Sequence, residues 1–241
     1  MTRAYAINVG ANTNEPGFRG PVYGDGRFVY LPIPETEATA ESVPTYGDLD
    51  RELEYDIPES VHDRPVHLDP SFAGYPFCER DTYGDEHGVK AGRLSTLSAG
   101  DYCFFYATLT TAAEEPAEWI APEWGAYLIG HLRLAADAVT DYAAAPSWLR
   151  EHLAANAHRK RADPDAEVLL AGDPEASALY DRAIPLSSAA AGADANRLVT
   201  ALSSDSGKGP WWRRPMGFDA DATETLLSIR EAGDRSRCFE R

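Results

Sequence analysis

A continuous run of apolar and aromatic residues constrains the fold of this chain more than any other feature. The run DYCFFYATLT occupies residues 101–110, and a Gly100-Asp101 pair marks its start. Its length and its aromatic content indicate a β-strand. The segment WGAYLIGHLRLA, residues 124–135, has the alternating pattern of a partner strand. We therefore predict that the two segments form an antiparallel pair at the centre of a sheet.

Shorter segments add further strands and helices to this pair. Strand-like composition is found in residues 3–9, 27–34, 166–172 and 183–188. Helical spacing of apolar residues begins at Pro146, runs to the basic residues 158–161, and recurs in 195–204 and 222–233. The predicted fold is α+β, with a mixed, mainly antiparallel sheet and a few packed helices.

The expected domain organisation is a single domain over residues 1–241. Residues 35–65 are acidic, rich in Thr, Ser and Pro, and show little periodicity, so we expect a surface excursion there. Residues 234–241 are expected to form a tail. The helix that begins near Pro146 is expected to cover the central strand pair.

The charge of the chain is strongly unbalanced. It carries 39 acidic and 22 basic residues, for a net charge of −17. So many carboxylates repel one another in dilute buffer, but molar salt shortens the screening length to about 3 Å. We expect a protein of a salt-rich, haloarchaeal-type cytoplasm, with an ordinary acidic protein as the alternative. A nucleic-acid partner is not excluded, because a local basic stripe can still contact phosphates.

The cysteines and the lengths of the apolar runs indicate the cellular location of the protein. Cys78, Cys103 and Cys238 are odd in number and lack C-x-x-C spacing, which argues against a disulfide framework and a zinc site. The apolar run near residue 1 is shorter than a secretory signal needs, and nowhere do about eighteen apolar residues follow one another. We expect free thiols, a cytoplasmic location and no membrane partner, while the cofactor and the oligomeric state stay open.

The densest concentration of basic and aromatic residues lies in the loop GKGPWWRRPMGF, residues 207–218. Indole rings stack on bases and guanidinium groups bind phosphates, so the loop suits a nucleotide or a single-stranded nucleic acid. The alternative is that the tryptophans pack in the core and the arginines pair with surface carboxylates. The candidate binding residues are Lys208, Trp211, Trp212, Arg213 and Arg214.

A second basic cluster, NAHRKR, occupies residues 156–161. His158 is a candidate proton shuttle or phosphate contact, and Asn156 and Arg159 are candidate nucleotide contacts. The simpler alternative is a helix C-terminus whose basic residues complement the helix dipole. The functional interpretation gains if both basic clusters face one cleft.

An H-x-D pair at His67 and Asp69 is a further candidate for catalysis. On a strand both side chains would point the same way, and with a distant His131 or His158 they could make an iron site of two histidines and one carboxylate. An Asp-Pro turn at Pro70 with a structural histidine is the interpretation that we favour. We therefore predict no metal.

The glycine-rich loop after the first strand matches no dinucleotide-binding or P-loop motif. Its backbone amides could still bind an anion. Asn8, Asn12 and Arg19 supply polar groups for a nucleotide there, although turn formation is the alternative role for the asparagines.

Six segments occur in an order that resembles the third group of the nucleotide modification associated domains. They are NVGANTNEPGFRGPVYGDGRFVYLPIPE, HLDP, GDYCFFYATL, AYLIGHLRL, NAHRKR and GPWWRRPMGF, and they cover nearly the whole chain. The match includes the Leu31-Pro32-Ile33-Pro34 segment, the His67-Leu68-Asp69-Pro70 segment and Ile129-Gly130. Charged residues that the family often has after the first strand are replaced here by Val9-Gly10-Ala11-Asn12.

The resemblance implies an α+β domain that makes or handles modified nucleotides in DNA, together with partner modification enzymes. The strand that follows Gly100-Asp101 and the Ile129-Gly130 strand are also similar to the core of PUA-like barrels, which suggests a barrel variant of the sheet. This second likeness concerns the fold alone.

The function that these observations favour is modification of a nucleotide or of DNA, by addition or removal of a group on a base. The catalytic candidates are His67, Asp69 and His158, with the glycine-rich loop and both basic clusters around the substrate. One alternative is a non-catalytic reader that stacks a base on Trp211 or Trp212. The other is an interaction protein without a ligand site. An enzyme should gather the catalytic candidates in a concave pocket, whereas a reader needs exposed aromatic rings.

Overall fold

The structure is a computed structural model that describes residues 2–86 and 88–239. The strands of these residues are β1 (Ala4–Asn8), β2 (Pro21–Val22), β3 (Ile33–Pro34), β4 (Val66–His67), β5 (Thr82–Asp85), β6 (Tyr102–Thr111), β7 (Trp124–Arg133), β8 (Val168–Ala171), β9 (Ala178–Pro185) and β10 (Met216–Phe218). The helices are α1 (Tyr46–Glu52), α2 (Gly88–Leu94), α3 (Ser147–Leu153), α4 (Ala157–Lys160), α5 (Arg197–Thr200) and α6 (Ala220–Ala232).

A six-stranded sheet forms the centre of the fold. Its strand order is β10-β1-β6-β7-β9, and β2 also pairs with β6. The β6–β7 pair is antiparallel, which confirms the predicted central pair. The β1–β6 and β2–β6 pairs are parallel, while β1–β10 and β7–β9 are antiparallel. The predicted α+β class with a mixed, mainly antiparallel sheet is therefore confirmed.

Alternation along the central strands divides the core between the two faces of the sheet. Phe105 and Ile129 pack on one face against residues from the first 97 positions of the chain. Phe104 and Leu128 pack on the other face with α6 and the loop that contains Trp211. Successive side chains of a strand point to opposite faces, so a strand that is apolar at every position must be covered on both.

The barrel variant of the sheet is not formed by the described residues. Strands β9 and β10 stand at opposite ends of the strand order and do not pair with each other. The central sheet is therefore open, and the likeness to PUA-like barrels does not extend to closure.

The segment 35–65 is more than a surface excursion. Thr45 and Asp48 form a capping box that starts α1, and Tyr46 and Leu49 on this helix are fully buried. Glu35, at the start of the segment, is also buried. The one-turn spacing of Tyr46 and Leu49 is the helical signal, and Gly47 between them weakens it.

The predicted helix that follows Pro146 is interrupted. Helix α3 ends at Leu153, and Asn156 adopts an extended conformation and caps a new short helix, α4. Leu149 and Leu153 pack on Leu169 and Ala171 in a small separate core. The helix therefore covers β8 rather than the central pair, which corrects the predicted location.

Two small antiparallel sheets lie beside the central one. Strand β3 pairs with β4, and β5 pairs with β8. The predicted strand over residues 27–34 is reduced to the two residues of β3, because only these pair with β4. The longest described helix, α6, has 13 residues, and no helix in the described ranges combines the length and apolarity needed to cross a membrane.

Candidate functional site

A cavity of about 240 Å³ opens between the end of β1, the small sheets and α4. Strand β4 brings His67 to it, β5 brings Gly84, and the break before α4 brings His158. The ionisable residues that line the cavity are His67, Asp69, Tyr83, Asp85, Glu86, Lys90, His158 and Arg161. The three catalytic candidates from the sequence thus line one cavity.

Each of the two cavity histidines is oriented by a carboxylate. Nδ1 of His67 lies 2.6 Å from Oε2 of Glu35, and Nδ1 of His158 lies 2.8 Å from Oδ1 of Asp165. Both imidazoles are buried, and their rings meet edge to face with centroids 4.7 Å apart. Because Nδ1 of each ring is held by a carboxylate, Nε2 is the nitrogen that remains for other partners.

Asp69 lies beside both histidines. Its Oδ1 accepts a hydrogen bond of 2.7 Å from the side-chain amide of Asn156, and both carboxylate oxygens lie 3.1 Å from the backbone N–H of Gly84. Its Oδ2 lies 3.8 Å from Nε2 of His158. Burial raises the pKa of Asp69, and the neighbouring histidines oppose that rise. The chain bends at Pro70, directly after Asp69, so a change of chain direction and membership of the cluster coexist.

A buried guanidinium ties the orienting carboxylates together. Arg161 contacts Glu35 at 3.0 Å through Nη2, and its Nη1 contacts both Glu86 and Asp165. Burial alone would raise the pKa of Glu35, but hydrogen bonds from His67 and Arg161 lower it to about 2. The carboxylate that holds His67 therefore stays ionised above that pH.

A second cavity, of about 180 Å³, adjoins the first and shares Asn8 and Asn12 with it. Nε of Arg19 lies 3.3 Å from the Thr108 hydroxyl, and the guanidinium lies 4.7 Å from the centre of the Trp124 ring. The lining residues of the second cavity are Asn8, Asn12, Thr13, Asn14, Arg19, Thr108, Trp212 and Arg213. Five candidate nucleotide contacts from two parts of the sequence, the glycine-rich loop and the basic loop, thus come together.

The residues of the basic loop divide between this cavity and the surrounding structure. Trp211 is fully buried, and its indole N–H donates to the carbonyl of Ala193. Arg214 forms two hydrogen bonds of 2.7 and 2.8 Å to Asp205. Lys208 is exposed and does not line either cavity. Trp212 and Arg213 are the two loop residues that line the second cavity.

The candidate residues of the second basic cluster also lie in different places, some in the site and others outside it. Asn156 is fully buried at the centre of the site, where its Oδ1 accepts from the backbone of His158 and its amide donates to Asp69. Arg159 instead stacks on Tyr142, with 3.9 Å between the guanidinium carbon and the ring centre. His131, the other histidine considered as a partner of His67, bonds Tyr180 and Ala176 and does not line the cavity.

Sequence reasoning missed several residues that complete the site. Glu35 and Asp165 orient the histidines, and Arg161 belongs to the recognised basic run without having been assigned a role. Gly84 allows β5 to approach Asp69 and His158 closely. The position of Arg161 in the basic run was a local signal that could have identified it. Glu35 and Asp165 had no such signal, because nothing distinguishes them in sequence from the rest of the 39 acidic residues.

The arrangement can move protons in a partly enclosed space. Two imidazoles held through Nδ1 can each accept or donate a proton at Nε2, and a buried carboxylate lies next to them. The second cavity supplies guanidinium and amide groups that can bind an anion and a base edge. The two chemistries meet at Asn8 and Asn12.

One family matches the chain, and its description is nucleotide modification associated domain 3. The match spans residues 3–228, which include every residue that lines the two cavities. No curated protein and no solved structure matches the chain. Because the match covers nearly the entire sequence, the chain belongs to the nucleotide modification associated domain 3 family.

Proposed function

We propose that the protein is an enzyme that modifies the base of a nucleotide, either free or within a DNA strand. The observation that carries the proposal is the junction of two unlike cavities at Asn8 and Asn12. One cavity holds a buried His-Asp cluster suited to proton transfer, and the other holds cationic and aromatic groups suited to nucleotide binding. The family membership supports a role related to nucleotide modification.

The sizes of the cavities support one ligand that spans both. Ligand pockets usually measure about 300–1,000 Å³. The two cavities, at about 240 and 180 Å³, are each smaller than that range. A nucleotide therefore needs both, with its phosphate and sugar in one and the reacting part of the base in the other.

The side chains suggest a role for each part of such a ligand. Arg19 and Arg213 would contact the phosphate, and Trp212 would contact the face of a base or sugar. The amides of Asn8 and Asn12, at the junction, would contact base edges. His67 and His158 would exchange protons with the reacting base while Asp69 balances the charge that develops.

A reader that binds a base without changing it is the second candidate. It is favoured by Trp212, which lines the second cavity and is partly exposed. This indole lies edge to face with Trp124, at 5.3 Å between ring centres, and a firmly held aromatic surface suits stacking. The reader candidate gives no task to the buried histidines, so we rank it second.

Mass spectrometry of treated nucleotides tests the proposal. The protein is incubated with nucleotides of each base and with short DNA strands, together with the small-molecule fraction of a cell extract as a source of co-substrate. We expect a new base mass to appear. Changing His67 to Gln should lower its rate of formation by about 10²–10⁴-fold, because a general acid or base is lost.

The matched control is His152→Gln, which changes a half-buried histidine of α3 whose Nε2 contacts the carbonyl of Asp81. It should leave the rate unchanged. Nucleotide binding without any change of mass, lost on Trp212→Ala, would instead establish the reader. An unchanged rate in a folded His67→Gln variant would contradict the assignment of the catalytic cluster.

A further inference from the structure

Three potential metal ligands converge on the first cavity. One nitrogen from each of His67 and His158 and one oxygen of Asp69 lie within 4.8 Å of one another, and all three residues are buried. Around a first-row metal ion with bonds of about 2.0–2.2 Å, neighbouring ligand atoms are roughly 3–3.5 Å apart. The ligand atoms that are farthest apart therefore need to approach by up to roughly 1–2 Å to share one ion.

The surroundings of these ligands resemble those of metal sites. A histidine that binds a metal usually gives its other ring nitrogen to a carboxylate or carbonyl, which fixes the ring and the tautomer. Glu35 has this relation to His67, and Asp165 has it to His158. Two histidine–carboxylate pairs from distant parts of the chain thus meet at one cavity.

The third ligand is held in the same way. Asn156 donates a hydrogen bond to Oδ1 of Asp69, and the backbone N–H of Gly84 lies 3.1 Å from both carboxylate oxygens. Oδ2 lies 3.8 Å from Nε2 of His158. Ligating carboxylates in metal sites are themselves hydrogen-bonded by neighbouring groups. The open side of the three ligands is the cavity, so further coordination positions can take water or substrate.

We propose that His67, Asp69 and His158 bind one divalent first-row transition metal ion at the floor of the first cavity. Two imidazoles and one carboxylate suit iron, zinc or cobalt and do not suit calcium or magnesium, which prefer oxygen ligands throughout. This replaces the sequence-based expectation of no metal, and it uses the His158 partner rather than His131.

A neighbouring group formed by Glu86, His158 and Asp165 is the competing location. Its two carboxylates already bind Arg161, and both are more exposed than Asp69. A cation placed there would stand beside a buried guanidinium, which is unfavourable. His67 belongs to the proposed site and not to the competing one, so it separates the two experimentally.

The role of the ion rests on the proposed function. With the ion bound, His67 and His158 serve as ligands, and the metal would polarise the base or activate a water in place of direct proton transfer by the imidazoles. Metal binding itself is measured without nucleotide. If the protein binds the ion but leaves every nucleotide unchanged, the result contradicts the proposed function and supports the metal site. A protein that binds none of the ions and still modifies a base would do the reverse.

The experiment uses the full chain, stripped with a chelator and then dialysed against Zn²⁺, Co²⁺, Mn²⁺ or, without oxygen, Fe²⁺. Metal content per chain is measured by mass spectrometry. We expect one ion per chain from at least one of these solutions. His67→Gln should abolish this binding, Asp165→Asn should lower affinity by about 10–100-fold, and His152→Gln should change nothing.

Two results would overturn the proposal. The first is that the wild-type protein binds none of the four ions at one per chain. The second is that folded His67→Gln retains full binding, which would place the ion at Glu86 and Asp165 or elsewhere. If the variants fail to fold, crystals of wild-type protein soaked in Co²⁺ decide: an anomalous peak between His67, Asp69 and His158 supports the site, and its absence refutes it.

Discussion

Gly84 lies so close to His158 that a β-carbon at position 84 would stand 2.7 Å from Cδ2 of the imidazole. The same carbon would stand 2.8 Å from Oδ1 of Asn156. The backbone N–H of Gly84 also donates to Asp69. Strand β5 can therefore lie this close to His158 and Asn156 only because position 84 has no side chain.

Replacing Gly84 by Ala should disturb the site more than the fold. The added methyl group must displace His158 or Asn156, and overpacking of this kind costs about 1–3 kcal/mol. We expect a lower melting temperature and a loss of metal binding and activity in the protein that remains folded. Thermal unfolding and dialysis against Co²⁺ measure the two effects.

Gly92→Ala is the matched control for this substitution. Gly92 lies in α2, and an added carbon would have no neighbour within 4 Å. Alanine also favours a helix over glycine by roughly 0.5–1 kcal/mol, so this variant should be as stable as the wild type or more. If Gly84→Ala and Gly92→Ala change stability and metal binding equally, a clash with His158 is not the reason why position 84 needs glycine.

Asn156→Asp should destabilise the protein at neutral pH. The new carboxylate keeps the cap of α4 but places an acceptor where Asn156 now donates to Asp69 over 2.7 Å. Losing that buried hydrogen bond costs about 1–3 kcal/mol, and repulsion between the two carboxylates adds to this. Chemical denaturation at pH 7 measures the loss.

Asn196→Asp tests whether repulsion, rather than loss of the amide, is responsible. Asn196 caps α5 in the same way, but its side-chain amide donates to the backbone carbonyl of Pro185. The Asn156 variant should lose more stability, and the difference should shrink as acid protonates the carboxylates. Identical losses at every pH would show that Asp69 carries no charge next to Asn156.

The sequence predicted the elements that depend on local patterns. The apolar run at 101–110 and its partner specify the β6–β7 pair because apolar and aromatic composition is a property of neighbouring residues. The capping box at Thr45 was just as local but was obscured by the surrounding acidic composition. The break at Asn156 was missed because its cause is a contact with Asp69, which is distant in sequence.

The site could be predicted only in part for the same physical reason. His67 and Asp69 are two residues apart in sequence and were recognised as a pair. Glu35 binds His67 across 32 residues and Arg161 across 126 residues, and nothing in one sequence marks such a pairing. A chain with 39 acidic residues offers too many equivalent carboxylates for residue type alone to identify the two that orient histidines.

Arg213 and Arg214 should behave differently although they are neighbours. Arg213 is exposed and lines the second cavity, whereas Arg214 is held by Asp205. A charged hydrogen bond to phosphate contributes about 1.5–3 kcal/mol, so Arg213→Ala should weaken nucleotide binding roughly 10–100-fold. Arg214→Ala should leave binding almost unchanged. Titration calorimetry with one nucleotide compares the two, and equal losses would contradict this division of the loop.

His131 should make stability depend on pH in the weakly acidic range. Burial lowers its pKa from 6.5 to about 4, with a further contribution from the charge of Arg230. The unfolded chain binds a proton at higher pH than the folded one, so stability is complete above about 6.5 and declines as the pH falls towards 4. Each pH unit of difference is worth about 1.4 kcal/mol, which gives a total of about 3 kcal/mol.

His131→Gln separates this contribution from that of the carboxylates, which also titrate in acid. Glutamine offers a donor and an acceptor for Ala176 and Tyr180, the two partners of the imidazole. The variant should lose less stability than the wild type between pH 7 and pH 4.5. If the stability of the wild type and of the variant falls equally with pH, His131 is not buried as a neutral group.

Salt should stabilise the protein. With 39 acidic and 22 basic residues, the folded chain concentrates a net charge of −17 on a compact surface. Unfolding moves these charges apart, so repulsion favours the unfolded chain until salt screens it, at a length of about 10 Å in 0.1 M salt and 3 Å in 1 M. The melting temperature should rise as KCl is increased from 0.1 to 2 M, with a rise already at the low-salt end. In the control, sucrose replaces KCl, and this low-salt rise should be absent because a neutral solute does not screen charge. A melting temperature that stays level or falls with added KCl would contradict the expectation of a salt-adapted protein.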